Sequence, residues 1–145
     1  MERERLAQNL FTIMPSIMKS IFKEIHCSEL SKHQIYLLRI IKENSMPMSY
    51  YSEKMMMPSS NLTLLADKLI AGGLIERLPD SNDRRVVVLS ITSKGLEQLD
   101  EYFATFKAEL VKKSKVLSDA DVKRLNDIIE EMNLLFDKLA NKSIK

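Results

Sequence analysis

The stretch Leu69-Ile-Ala-Gly-Gly-Leu-Ile-Glu-Arg-Leu-Pro-Asp-Ser-Asn-Asp-Arg-Arg-Val-Val-Val-Leu-Ser-Ile-Thr-Ser-Lys-Gly95 decides the fold. It reads as the end of a helix, a stop at Gly72-Gly73, a strand, a polar turn, a second strand and the start of another helix. Glycine takes positive φ without steric cost, so a glycine pair closes a helix where a side chain would clash. The predicted strands are Leu74–Leu78 and Val86–Ile91, joined by the turn Pro79–Arg85. That turn carries Arg84 and Arg85 side by side. Guanidinium is permanently charged and weakly hydrated, so paired arginines at a hairpin tip suit phosphates or a minor groove.

Working outward, Pro58-Ser59-Ser60 opens the helix that ends at the glycines. Leu62, Leu65, Ala66, Leu69 and Ile70 fall at i, i+3, i+4, i+7 and i+8, a stripe meant for burial. The complementary stripe is Ser60, Asn61, Thr63, Leu64, Asp67 and Lys68. Ser31-Lys-His-Gln34 is a capping box that opens a helix through Leu37, Leu38, Ile40 and Ile41. Met46-Pro47 ends that segment and starts a short helix through Tyr51 and Met55. Upstream, the helical spacing of Leu6, Leu10, Ile13, Met14, Ile17, Ile21, Phe22 and Ile25 predicts one helix over about residues 3–26. Pro15 is expected to kink it, because proline lacks the N–H the preceding turn needs. Downstream, Thr92 or Ser93 caps a helix through Leu96, Leu99, Phe103, Phe106 and Leu110. Ser118-x-x-Asp121 opens a last helix through Val122, Leu125, Ile128, Ile129, Met132, Leu135, Phe136 and Leu139. Disorder is expected only in the tail after Ala140. Helices, then a two-stranded basic ribbon, then helices make a mostly α (α+β) winged helix-turn-helix.

The totals agree with one such domain. A chain of 145 residues, 45% hydrophobic with three Gly and four Pro, favours a helical globular protein over disorder. No uncharged apolar run is long enough to span a bilayer, and the charged start Met1-Glu-Arg-Glu-Arg5 leads into no signal-peptide core, so no membrane partner is expected. A lone cysteine points to a reducing, cytoplasmic setting. Net charge is only +2, and residues 54–95, with six Lys/Arg and four Asp/Glu, again give +2. DNA binding must therefore be argued from where the charges sit. Three glycines exclude nucleotide-cradling loops, and no Ser/His/Asp grouping appears. Neither catalysis nor a cofactor is expected.

The same residues carry a family resemblance. Asp83-Arg84-Arg85, the apolar run from Val86, the Leu89-Ser90-Ile91-Thr92 ending and Gly95 resemble the wing signature of the MarR (multiple antibiotic resistance regulator) family. Leu69, Gly73, Leu74, Ile75 and Arg77 also fall where that family places them. The resemblance extends over nearly the whole chain. It implies a single domain over 1–145, with a DNA-binding lobe over about 31–92 and dimerisation helices over about 3–26 and 93–140. The long apolar stripes of the first and last helices could pack on the central unit of their own chain or interdigitate with a second copy; the resemblance implies the second.

The helix from Ser59 is the candidate recognition helix, since a helix fits the major groove and short polar side chains reach phosphates or base edges. Its candidate contacts are Ser59, Ser60, Asn61, Thr63 and Lys68, with Asn61 suited to adenine and Lys68 to phosphate. Ser59 and Ser60 could also simply cap the helix. Leu64 departs from the family pattern, which often has Arg there; that leaves thymine-methyl contact or shape readout in place of guanine reading. In the wing, Arg85 is expected in the minor groove and Arg84 on phosphate. The resemblance implies that Asp83 orients Arg85, and Arg77 with it; the plainer alternative is a solvated turn with surface ion pairs.

Nine methionines are either core filler or walls of an adaptable pocket. The resemblance implies a cleft for a small amphipathic or aromatic effector, with Met14, Ile17, Met18, Tyr36 and Ile40 as its candidate walls. Cys27 is a candidate redox thiol, but His26 and Glu29 beside it offer one helpful charge at best, so a structural or incidental thiol is the favoured reading. His26, Cys27, Glu29 and His33 lie within eight residues, yet their spacing fits no tight ligand pattern, and no metal is expected. The resulting expectation is a homodimeric repressor on a pseudo-palindromic operator in double-stranded DNA, released by a small ligand or by oxidation. The alternative is a winged-helix protein-assembly module without specific DNA binding.

Overall fold

The structure is a computed structural model that describes residues 1–141; of the tail after Ala140, expected to be disordered, Asn141 is still helical and residues 142–145 lie outside the described residues. The order is α1 (Glu2–Phe22), α2 (Lys32–Glu43), α3 (Met48–Lys54), α4 (Ser59–Ala71), β1 (Ile75–Pro79), β2 (Val87–Ile91), α5 (Ser93–Lys113), a 3-10 turn (Ser114–Val116) and α6 (Asp119–Asn141). The fold is mostly helical with a two-stranded antiparallel sheet, the winged-helix arrangement expected from the sequence. Two compact units emerge, Met1–Phe106 and Lys107–Lys145.

The first unit holds the core. Leu37, Leu38 and Ile41 of α2, Leu62, Ala66 and Leu69 of α4, Ile75, Leu89 and Leu99 are buried together with Tyr51 of α3. The helical spacing of the apolar residues dictates this, since each helix turns one stripe inward. Tyr51 is the polar exception. Its hydroxyl donates to the Asn44 carbonyl and accepts the Met46 N–H at 2.8 Å. Burial pushes the Tyr51 phenol above its usual value, so it stays a neutral donor. Tyr51→Phe leaves both backbone groups without this partner and should lower unfolding stability by about 1–3 kcal/mol. A urea midpoint equal to that of the parent chain would show that these bonds contribute nothing.

The glycine stop has a specific form. Gly73 sits at φ +72, its N–H donates to Ile70 O at 2.9 Å, and the Leu74 N–H donates to Leu69 O at 2.9 Å. That is the paired bonding of a Schellman ending. Only Gly73 needs positive φ; Gly72 is at −77. The strands pair Ile75↔Ile91 through Pro79↔Val87. A bridge from Met46 to Leu89 extends the ribbon. Thr92 then closes the corner. Its hydroxyl donates to Gly73 O at 2.7 Å and accepts the Gly95 N–H at 3.0 Å, which makes it the N-cap of α5.

The capping box at Ser31 and Gln34 forms with both bonds present. Helix α1 differs from expectation at its end: it stops at Phe22, four residues early, because Lys23 turns extended and Glu24 takes φ 71. Pro15 lies inside the helix, which continues through it to Phe22. No residue of α1 is buried; Leu6, Phe11 and Met14 face solvent. In the second unit, Ser118 accepts the Asp121 N–H at 3.1 Å and opens α6. No residue of α6 is buried either, and Leu134, Leu135 and Leu139 are exposed. Among the described residues, no helix is long and apolar enough to cross a membrane.

Candidate nucleic-acid interface

Anchoring Leu62, Ala66 and Leu69 in the core turns the opposite face of α4 outward. Ser59, Ser60, Asn61, Thr63, Leu64, Asp67 and Lys68 are all exposed on it. The cap position is Pro58, with no side-chain hydrogen bond, so Ser59 and Ser60 lie in the first turn and do not cap the helix. Proline lacks a side-chain acceptor, and the first-turn N–H groups have no intrahelical partner. They form a donor cluster at the positive end of the helix dipole. The Thr63 hydroxyl donates to Ser59 O at 2.8 Å, so toward a ligand it can only accept.

Asp67 would oppose a polyanion, but it is engaged. Arg77 Nη2 donates to its Oδ1 at 3.0 Å, tying β1 to α4. Arg77 therefore braces α4 rather than pairing with Asp83, the partner expected for it within the wing.

At the wing tip, Asp83 grips Arg85 with both oxygens. Oδ1 accepts the Arg85 backbone N–H and Nε–H, each at 3.1 Å, and Oδ2 accepts from Nη2 at 3.2 Å. These bonds hold the Asp83 carboxyl below its usual range. A depressed carboxylate keeps its partner above the ordinary pKa and loses it only as pH falls through the lowered one. The pair is therefore intact at neutral pH. Asp80, which the sequence reading did not single out, shapes the turn beneath. Its Oδ2 accepts the N–H groups of Asn82 and Asp83 at 3.1 Å each, and its own N–H donates to Val86 O at 2.8 Å. The signal was present in Asp80-Ser-Asn, because aspartate in a turn bonds the backbone two residues on. Arg84 is exposed beside Arg85.

Away from this face, a cavity of about 310 Å³ is lined by Met18, Phe22, Tyr36, Tyr102, Phe103 and Phe106, with Lys32, Ile35 and Arg39. Lys32 Nζ stands 4.2 Å from the Phe22 ring centroid. Of the five expected walls, Met18 and Tyr36 line it. Ile40 does not; one turn along the same face of α2 from Tyr36, it is 4% exposed and belongs to the core. Met14 and Ile17 are not among the lining residues, since α1 presents Met18 and Phe22 one turn further on. The rings of Phe22 and Phe106 stack at 5.4 Å, and Tyr102 lies parallel to Phe106 at 6.4 Å. Cys27 is half-buried in a separate cleft with Lys68, Lys94, Glu101 and Tyr102. Among the described residues, no group of three His, Cys, Asp or Glu could hold a metal ion.

Known proteins resemble this chain in sequence and fold. A family model described as the MarR family matches residues 30–87. The chain is 30% identical over 111 residues to the HTH-type transcriptional repressor MdtR of Bacillus subtilis (strain 168), covering 76% of this chain and 69% of the relative. It is 27% identical over 138 residues to the HTH-type transcriptional regulator MhqR of the same strain, covering 92% of this chain and 95% of the relative. Among solved structures, the YusO protein of Bacillus subtilis aligns with a TM-score of 0.64 at 27% identity, over 92% of this chain and 93% of that one.

Proposed function

The chain belongs to the MarR family of transcriptional regulators, which are not enzymes, and on that footing we propose that it is a homodimeric repressor of a pseudo-palindromic operator in double-stranded DNA. The observation that carries this reading is the outward stripe of α4 beside a wing tip whose Arg85 is held by Asp83. Two copies of α4 would enter successive major grooves about 10 bp apart, with Arg85 in the flanking minor grooves and Arg84 on phosphate. Ser59, Ser60, Asn61 and Thr63 would face bases or phosphates, with Arg77 and Asp83 as supports. The lobe over about 31–92 would carry the contacts. The helices over about 3–26 and 93–140 would form the dimer, a reading supported by apolar stripes on α1 and α6 that contain no buried residue. Repression is supported by the relative named a repressor. The cavity at Tyr36 and Phe106 would take a small amphipathic or aromatic effector in the cytoplasm, whose binding and DNA binding would then alter each other reciprocally.

Selection of bound sites from random duplexes tests the reading directly. A symmetric consensus supports it; no enrichment, or a sedimentation mass of one chain at micromolar concentration, overturns it. Salt dependence separates DNA recognition from a protein-assembly role, because neutralised phosphates release counterions. Lys68→Ala should weaken binding to all sequences and flatten the log K against log salt slope by about 0.9 for each copy on the duplex. Loss confined to one sequence, with no change of slope, would contradict a phosphate contact at Lys68.

A further inference from the structure

We propose that Leu64 makes α4 a reader of thymine methyl groups, an inference that rests on the DNA-binding reading above. Leu64 is 63% exposed in the middle of the outward stripe, although Leu62 and Leu69 on the same helix are fully buried. Asn61 precedes it by three residues and Lys68 follows by four, so the three share one face. They line one shallow recess with His33, Met57 and Leu65. Only two charged residues occur in α4, and Asp67 is engaged by Arg77. That leaves Lys68 as the charge flanking an apolar centre. The face is therefore cationic at one end, apolar in the middle and polar at Asn61. A duplex major groove offers the matching series: phosphate, then the C5-methyl of thymine, which is the apolar group on a base edge, then hydrogen-bonding edges. A second copy of the chain or an acyl chain would fill the leucine without using the flanking lysine and asparagine.

The test uses the full chain and the tightest duplex recovered from a random pool. Each thymine is replaced in turn by deoxyuridine, which keeps O4 and base pairing and lacks only the methyl. Affinity should fall about fourfold for each methyl that Leu64 covers. Leu64→Ala should bind the thymine and deoxyuridine duplexes equally at that position. It should keep the helical circular dichroism and sedimentation mass of the parent, since the side chain is exposed. Tight binding of the parent with no methyl sensitivity, a consensus without thymine, or unchanged discrimination by Leu64→Ala overturns the assignment and leaves the DNA-binding reading intact. A lowered sedimentation mass for Leu64→Ala assigns the leucine to a contact between copies and overturns it too. Failure of the parent chain to bind any duplex removes both.

Discussion

Gly95→Ala should lower unfolding stability by about 3 kcal/mol or more, against the usual sign for such a change. Within a helix, alanine normally exceeds glycine by up to about 1 kcal/mol. Here a Cβ would lie 2.1 Å from Leu74 O and 2.7 Å from Ile91 Cγ1. The first neighbour is backbone and cannot rotate away. That carbonyl also accepts the Thr92 N–H at 3.0 Å, and the Thr92 hydroxyl receives the Gly95 N–H. Making room for one methyl thus means moving α5 off the corner where the ribbon meets α4, with the cap loosened as well. Gly72→Ala is the matched control. Gly72 has ordinary φ, and the nearest atom to its added Cβ is 3.5 Å away. It should be neutral to stabilising, whereas Gly73→Ala meets φ +72 and should cost about 1–2 kcal/mol. Urea denaturation of the three variants checks the ranking. A Gly95→Ala chain as stable as its parent would mean that the close approach at Leu74 is not maintained.

The same corner shows what was legible beforehand. The strands begin and end within one residue of their expected positions, because Gly73, the alternating apolar residues and Thr92 are local signals. The stripe of α4 follows from 3.6-residue spacing alone. Three features needed the third dimension. Helix α1 ends at Phe22 because Glu24 adopts a left-handed conformation, and a glutamate gives no local sign of that. Arg77 finds Asp67 ten residues earlier on another element, whereas a chain reading looks first within the wing. The cavity was half legible: Met18 and Tyr36 lie on exposed faces of α1 and α2, but Phe22 meets Phe106 across 84 residues of chain. Ile40 shares a flank of α2 with Tyr36, yet one is buried and the other 40% exposed: spacing of four gives a common flank but not how far along the helix the core extends. Ser59 and Ser60 were natural cap candidates by residue type, but the helix already begins at Ser59 and the cap position falls on Pro58.

For Arg85→Ala the expected result is a loss of operator affinity of about 30-fold or more with an unchanged fold. A single arginine read by DNA contributes about 1–3 kcal/mol, and a twofold complex loses two of them. Stability should barely move. The Arg85 side chain is 90% exposed, and an exposed ion pair of this kind contributes little to folding. Asp83 gives the prediction its structure. By gripping the backbone N–H, Nε and Nη2 together, it fixes the guanidinium before DNA arrives, which reduces the ordering cost of binding. Asp83→Asn should therefore also weaken binding, but by less, since the arginine remains and only its grip is loosened. Arg85→Lys keeps the charge and loses the fork; it should fall between parent and alanine and retain the parent salt slope. A plain phosphate contact would behave differently: lysine would substitute fully, and alanine would weaken all sequences alike. Gel-shift titration at one fixed salt, on the selected duplex and on a scrambled one, separates the two. Equal affinity of Arg85→Ala and parent for the selected duplex would remove the wing tip from the interface. Equal losses on both duplexes would move Arg85 from groove to phosphate.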